Sequence, residues 1–141
     1  MKLIALVGLP TKEKGWLARD LAAHYLGAGR SVAVLDNAGI MGDVADATSV
    51  TTVRGSIGAG DLRLAGNTEV LILAADSQTH IGDLTATLDE FADESSYPVE
   101  LQIVALVDER TTCCFPYVAE LLTDYADITL HAPFSAQDIL K

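Results

Sequence analysis

Residues 3–7, Leu3-Ile4-Ala5-Leu6-Val7, are apolar without a break and run straight into Gly8. A strand with one face in water alternates apolar and polar side chains. An unbroken apolar run therefore calls for burial on both faces, as in the parallel sheets of α/β proteins. Beyond the glycine the period changes: Trp16, Leu17, Leu21, Tyr25 and Ala28 recur at helical spacing, and Gly27-Ala28-Gly29 supplies a stop. This predicts a helix over 14–28. Ser31 to Asp36 is a second apolar strand ending on a carboxylate, so the opening 36 residues read as a β-α-β unit.

Farther on, residues 69–76 (Glu69 to Asp76) are the clearest internal strand, and Ile81, Leu84, Leu88 and Phe91 mark one face of a helix over 79–93. Leu101 to Asp108 reads as another buried strand. Pro116 suits the first turn of a helix carrying Val118, Leu121, Leu122 and Tyr125, and Asp127 to His131 reads as a closing strand. Ser135-Ala136-Gln137-Asp138 has the character of an N-cap before a final turn. Six glycines and several aspartates break any period between 37 and 67; within it, 49–53 is β-branched enough for a short strand and 61–65 fits one helical turn. The expected fold is α/β: one domain over 1–141, a mostly parallel doubly wound sheet with helices on both faces.

Half of the chain is hydrophobic and only 6% aromatic, which suits an aliphatic sheet core. With 20 acidic against 9 basic residues the net charge is −11, which argues against nucleic acid and anionic membranes as partners of a basic surface. The only cysteines, Cys113 and Cys114, are adjacent and ill placed for an ordinary structural disulfide; they read as small buried hydrophobes in a reducing compartment. The first apolar run is too short to span a membrane and lacks a signal-peptide cleavage pattern, so a cytoplasmic protein is expected.

The turn between the first strand and helix is where a phosphate-binding loop sits. Against G-x-x-x-x-G-K-[ST], the stretch Gly8-Leu9-Pro10-Thr11-Lys12-Glu13-Lys14-Gly15 keeps Gly8 and Lys14. Glu13 replaces the second glycine and brings a carboxylate to where phosphates lie. Gly15 replaces the hydroxyl residue that helps to hold Mg²⁺.

Residues 3–36 resemble the start of P-loop NTPases, and are most similar to the branch holding the partition and division-site ATPases, the nitrogenase iron protein and the metallocentre-maturation ATPases. The order of the later strands and helices resembles it too. The resemblance implies a P-loop NTPase-like α/β domain with Gly8, Lys14 and Asp36 as a vestigial nucleotide site. It also implies where other working residues fall. A Walker B or switch aspartate is missing from Ser49 to Gly55, a base-recognition motif on residues 105–108 keeps only Asp108, and the branch's extra lysine falls on Leu9.

Two functional readings follow. In the first, the domain is a pseudo-NTPase without hydrolysis and without a cofactor, which binds a protein partner or forms a homodimer through its former nucleotide face; Leu9, Pro10, Trp16, Ile40, Met41 and Ile57 are the candidates for that face. In the second, Lys14 and Asp36 still hold ATP or GTP with Mg²⁺. A receiver- or flavodoxin-like domain is a third, weaker match, because no acidic pair follows the first strand. Lys12 and Lys14 read as solvated lysines flanking Glu13, and Asp36, Asp43 and Asp46 as neighbours by chance rather than a Mg²⁺ set. Trp16 is either an interface anchor or packs on the sheet edge. No metal site is expected from the scattered histidines, and no serine has a nucleophile motif.

Overall fold

The computed structural model describes residues 1–39, 49–63 and 68–140. In chain order its elements are β1 (Lys2–Gly8), α1 (Thr11–Gly27), β2 (Val32–Asp36), β3 (Ser49–Thr52), α2 (Ala59–Arg63), β4 (Val70–Ala74), α3 (Ile81–Glu94), β5 (Glu100–Val107), α4 (Glu109–Cys114), α5 (Pro116–Tyr125), β6 (Ile128–His131) and α6 (Gln137–Leu140). Among the described residues the strands make one six-stranded sheet in the order β3-β2-β4-β1-β5-β6, and every pairing is parallel.

The apolar runs are apolar because the sheet is covered twice. Leu3, Ala5 and Val7 of β1 belong to one core cluster with Leu71, Leu73, Ile103 and Ala105, packed under α3 and α5 through Ile81, Leu84, Leu88, Phe91 and Leu122. Ile4 and Leu6 join the other cluster with Val34, Ile72, Val104 and Leu106, beneath Leu17, Leu21 and Tyr25 of α1 and Ile139 of α6. Successive side chains of a strand point to opposite faces, so consecutive apolar residues fill both clusters. The outermost strands are short, and β3 (Ser-Val-Thr-Thr) is largely exposed, which limits the edge available for stray pairing.

The expected fold class holds, with local differences. Helix α1 begins at Thr11 rather than at residue 14. It ends in a Schellman motif, with Gly29 at φ +79°, the Arg30 N–H donating to Tyr25 O and the Gly29 N–H to Leu26 O. The early helical turn is Ala59–Arg63, and α4 was not anticipated: its six residues carry no apolar period. The cysteines sit on α4 and are exposed rather than buried.

Gly8 ends β1 at φ +128° in register with Leu106 of β5, and a Cβ placed there would collide with the carbonyl oxygen of Leu106. Space and backbone both demand glycine. Gly8→Ala is expected to lower unfolding free energy by about 2–3 kcal/mol in urea denaturation. A change within about 0.5 kcal/mol would show that the strand end yields freely.

Candidate functional site

Strands β1 and β4 are neighbours, yet the helices that follow them cover opposite faces, α1 one and α3 the other. The chain ends diverge there and leave a crevice beyond the carboxyl ends of the two strands, the usual ligand position in open α/β sheets. Lys14 enters that crevice from α1. Its Nζ donates to Gly8 O, at the end of β1, and to Ala75 O, just beyond β4, each at 2.6 Å. The side chain is fully buried, not solvated as the flanking charges suggest. Loss of hydration lowers its pKa from 10.5 to about 8, against the opposing pull of the Asp76 carboxylate.

The local sequence explains the placement. Only Leu9 and Pro10 separate β1 from α1, so no extended loop lies ahead of the lysine. Pro10, at φ −62°, is set for a helix start, and Glu13 in the first turn complements the positive end of the helix dipole. A glycine-rich loop would leave those N–H groups open to phosphate; here helix-forming residues close the turn. A proline two residues after the strand is the signal for it.

The acid that faces Lys14 is Asp76, after β4. The expected location for such an acid, 49–55, belongs to β3, which lies at the sheet edge with β2 and β4 between it and β1. That expectation is corrected: hydrogen bonding between strands decides which one adjoins β1. Asp36 ends β2, so β4 also lies between it and β1; its buried carboxylate accepts the Gly39 N–H at 2.8 Å.

Asn37 was not singled out from sequence and is central to this end of the sheet. Its Nδ2 donates to Val53 O (3.0 Å) and Gly55 O (2.8 Å), its Oδ1 accepts the Asp76 N–H (3.0 Å), and its own N–H donates to Ala74 O (2.9 Å). One buried carboxamide thus ties the ends of β2, β3 and β4 together. A polar residue following an apolar strand is its only sequence signal.

Asp108 caps α4, accepting the Thr111 N–H at 2.8 Å and the Thr111 hydroxyl. The hydroxyl bond, foremost, holds its carboxyl below the usual carboxylate range. This acid is engaged in the helix start.

Two clefts flank the segment Asp76 to His80. One, of about 390 Å³, is lined by residues of both kinds, among them Ser56, Ile57, Gln78, Asp83, Leu84 and Thr87; the other, of about 250 Å³, lies between Leu9, Ile81, Leu84, Val118 and Leu121. Among the interaction candidates Trp16 is 55% exposed and Leu9 is partly exposed. Pro10 is buried and Ile57 belongs to the core, so neither is a surface contact as expected. Ile40 and Met41, and likewise Asp43 and Asp46, lie outside the described residues. Phe115 and Tyr117, not foreseen, are exposed at the α4–α5 elbow. Among the described residues no group of three or more His, Cys, Asp or Glu could hold a metal, and no helix is long and apolar enough to cross a membrane.

The all-parallel doubly wound sheet has the P-loop NTPase-like fold of the solved structures it resembles. The chain is similar to FtsY from Mycoplasma mycoides, with 16% identity and a TM-score of 0.56 over 93% of this chain and 51% of that one. It is also similar to the signal recognition particle 54 kDa protein of Aeropyrum pernix K1 in complex with GDP, at 15% identity and 0.56 over 94% and 35%. FtsY of Elizabethkingia anophelis in complex with GDP gives 13% and 0.52 over 92% and 47%. At these identities the likeness is one of fold, and the chain spans about half the length of these proteins or less. No family model and no curated protein sequence matches it.

The buried lysine makes stability depend on pH. Between pH 8 and 10.5 the unfolded chain holds the Lys14 proton and the folded chain releases it. Unfolding free energy therefore rises with pH across that window, by up to about 3 kcal/mol. Below pH 8 the full penalty of burying the charge remains. In Lys14→Met the rise should disappear, as read from urea midpoints across the window; equal profiles would place the ammonium in water.

Proposed function

We propose that this chain is a pseudo-NTPase domain: it keeps the P-loop NTPase sheet, no longer hydrolyses nucleotide, and serves as a protein interaction or regulatory subunit. The observation that carries this reading is Lys14, whose ammonium bonds the chain's own carbonyls at Gly8 and Ala75 instead of projecting beyond them. The short turn, the carboxylate of Glu13 in the helix first turn and the glycine at position 15 support it. Among the described residues, Asp76, whose charge acts on Lys14, is the acid that an active site would still use. Assignment to the branch of partition and division-site ATPases rests on residues 3–36, since the solved structures it resembles are signal-recognition proteins.

The interaction face is the carboxyl end of the sheet, where Trp16 and Leu9 stand. Trp is enriched among residues that dominate binding energy, and an indole more than half exposed is available to a partner. The partner is another protein or a second copy.

Thermal unfolding with excess ATP or GTP and Mg²⁺ is expected to give no shift. A native-state site filled at a hundred times its Kd would add about 2.7 kcal/mol, a rise of several degrees. Such a rise, absent in Lys14→Ala, would overturn the reading in favour of retained nucleotide binding. Trp16→Ser should change unfolding free energy by less than about 0.5 kcal/mol. A loss above about 2 kcal/mol would mean that the ring packs within this chain and would remove it from the interaction face.

A further inference from the structure

Helix α4 is fixed at one end and open at the other. Its start is held by Asp108, which accepts the Thr111 N–H and hydroxyl, with the Thr111 side chain fully buried. Its finish is the pair Cys113-Cys114, both exposed, followed by Phe115 at φ −134°, ψ 57°. Pro116 has no N–H and begins α5, so the ladder of α4 cannot continue past the cysteines. The last bond is the Phe115 N–H to Thr111 O, at 2.9 Å. Adjacent thiols thus stand on a terminal half-turn whose rearrangement disturbs little else.

Consecutive Cα atoms lie about 3.8 Å apart across a trans peptide, short of the roughly 4.4–6.8 Å that a relaxed disulfide spans. A direct S–S bond would be strained. An atom placed between the two sulfurs lengthens the bridge and removes that constraint, and thiolates select soft centres. Among the described residues no group of three or more metal-binding side chains forms, so the pair acts with two ligands and the centre brings its remaining substituent. Phe115 and Tyr117, exposed in the next three positions, offer aromatic surface beside an organic substituent.

We propose that Cys113 and Cys114 form a bidentate dithiol site for a soft, thiophilic centre, with a monosubstituted trivalent arsenical as its simplest occupant. With phenylarsine oxide the two thiol protons pass to the arsenoxide oxygen, which leaves as water, while two As–S bonds form; arsenic stays trivalent. The whole chain is treated with phenylarsine oxide and weighed intact. One arsenical per chain is expected, resistant to excess 2-mercaptoethanol and removed by 2,3-dimercaptopropanol. Cys113→Ser and Cys114→Ser should each retain it on the order of a hundredfold less well, because the second thiol acts at high effective concentration. Their unfolding midpoints should match the parent chain, as both side chains are exposed. Label stripped from the parent chain by the monothiol, or label that survives in either variant, would overturn the proposal.

Discussion

An ammonium group between two strand ends organises the functional end of this protein. Doubly wound sheets open a crevice wherever neighbouring strands send their helices to opposite faces, and the carbonyls at that point need partners. Here Lys14 provides them, bonding Gly8 O and Ala75 O from within the fold. The cost is desolvation of a charge, comparable to the burial of one or two leucines, about 3 kcal/mol. It is moderated because a neutral amine still has two N–H donors, enough for both carbonyls. The Asp76 carboxylate opposes the loss of charge.

The surrounding polar groups are structural in the same sense. Asn37 spends both amide hydrogens and its carbonyl on backbone groups from three strand ends. Asp36 accepts from Gly39, and Asp108 caps α4. In a nucleotide-binding relative, groups at such stations would turn to ligand; here each of them has at least one partner within the chain. That pattern of inward bonding supports the proposed binding platform, and the exposed rings of Trp16, Phe115 and Tyr117 are among the large apolar groups left to the surface among the described residues.

The fold was legible because the core is aliphatic and the sheet buried on both sides. Ile81, Leu84, Leu88 and Phe91 proclaim the buried face of α3, and all four are buried. The site was less so. Lys14 was identified by spacing from Gly8, but its burial was not, since flanking Lys12 and Glu13 suggest a solvated run. Asp76 looked like the end of a strand until the strand order set β4 beside β1. Cys113 and Cys114 looked like core residues because cysteine usually is, and α4 has no period to show which way they face.

By itself the sequence determined the α/β class, the succession of strands and helices apart from α4, and the position of the turn after β1, because those depend on local periodicity and on residues with special backbone preferences. Tertiary structure alone decided that β4 adjoins β1, that Asp76 rather than Asp36 faces the lysine, and that Asn37 joins three strand ends. Those relations come from hydrogen bonding between segments about 40 to 60 residues apart, as with Asn37 to Asp76 and Lys14 to Ala75. No period within one segment encodes its neighbour in the sheet. The neighbour follows only when all strands compete for the same edges.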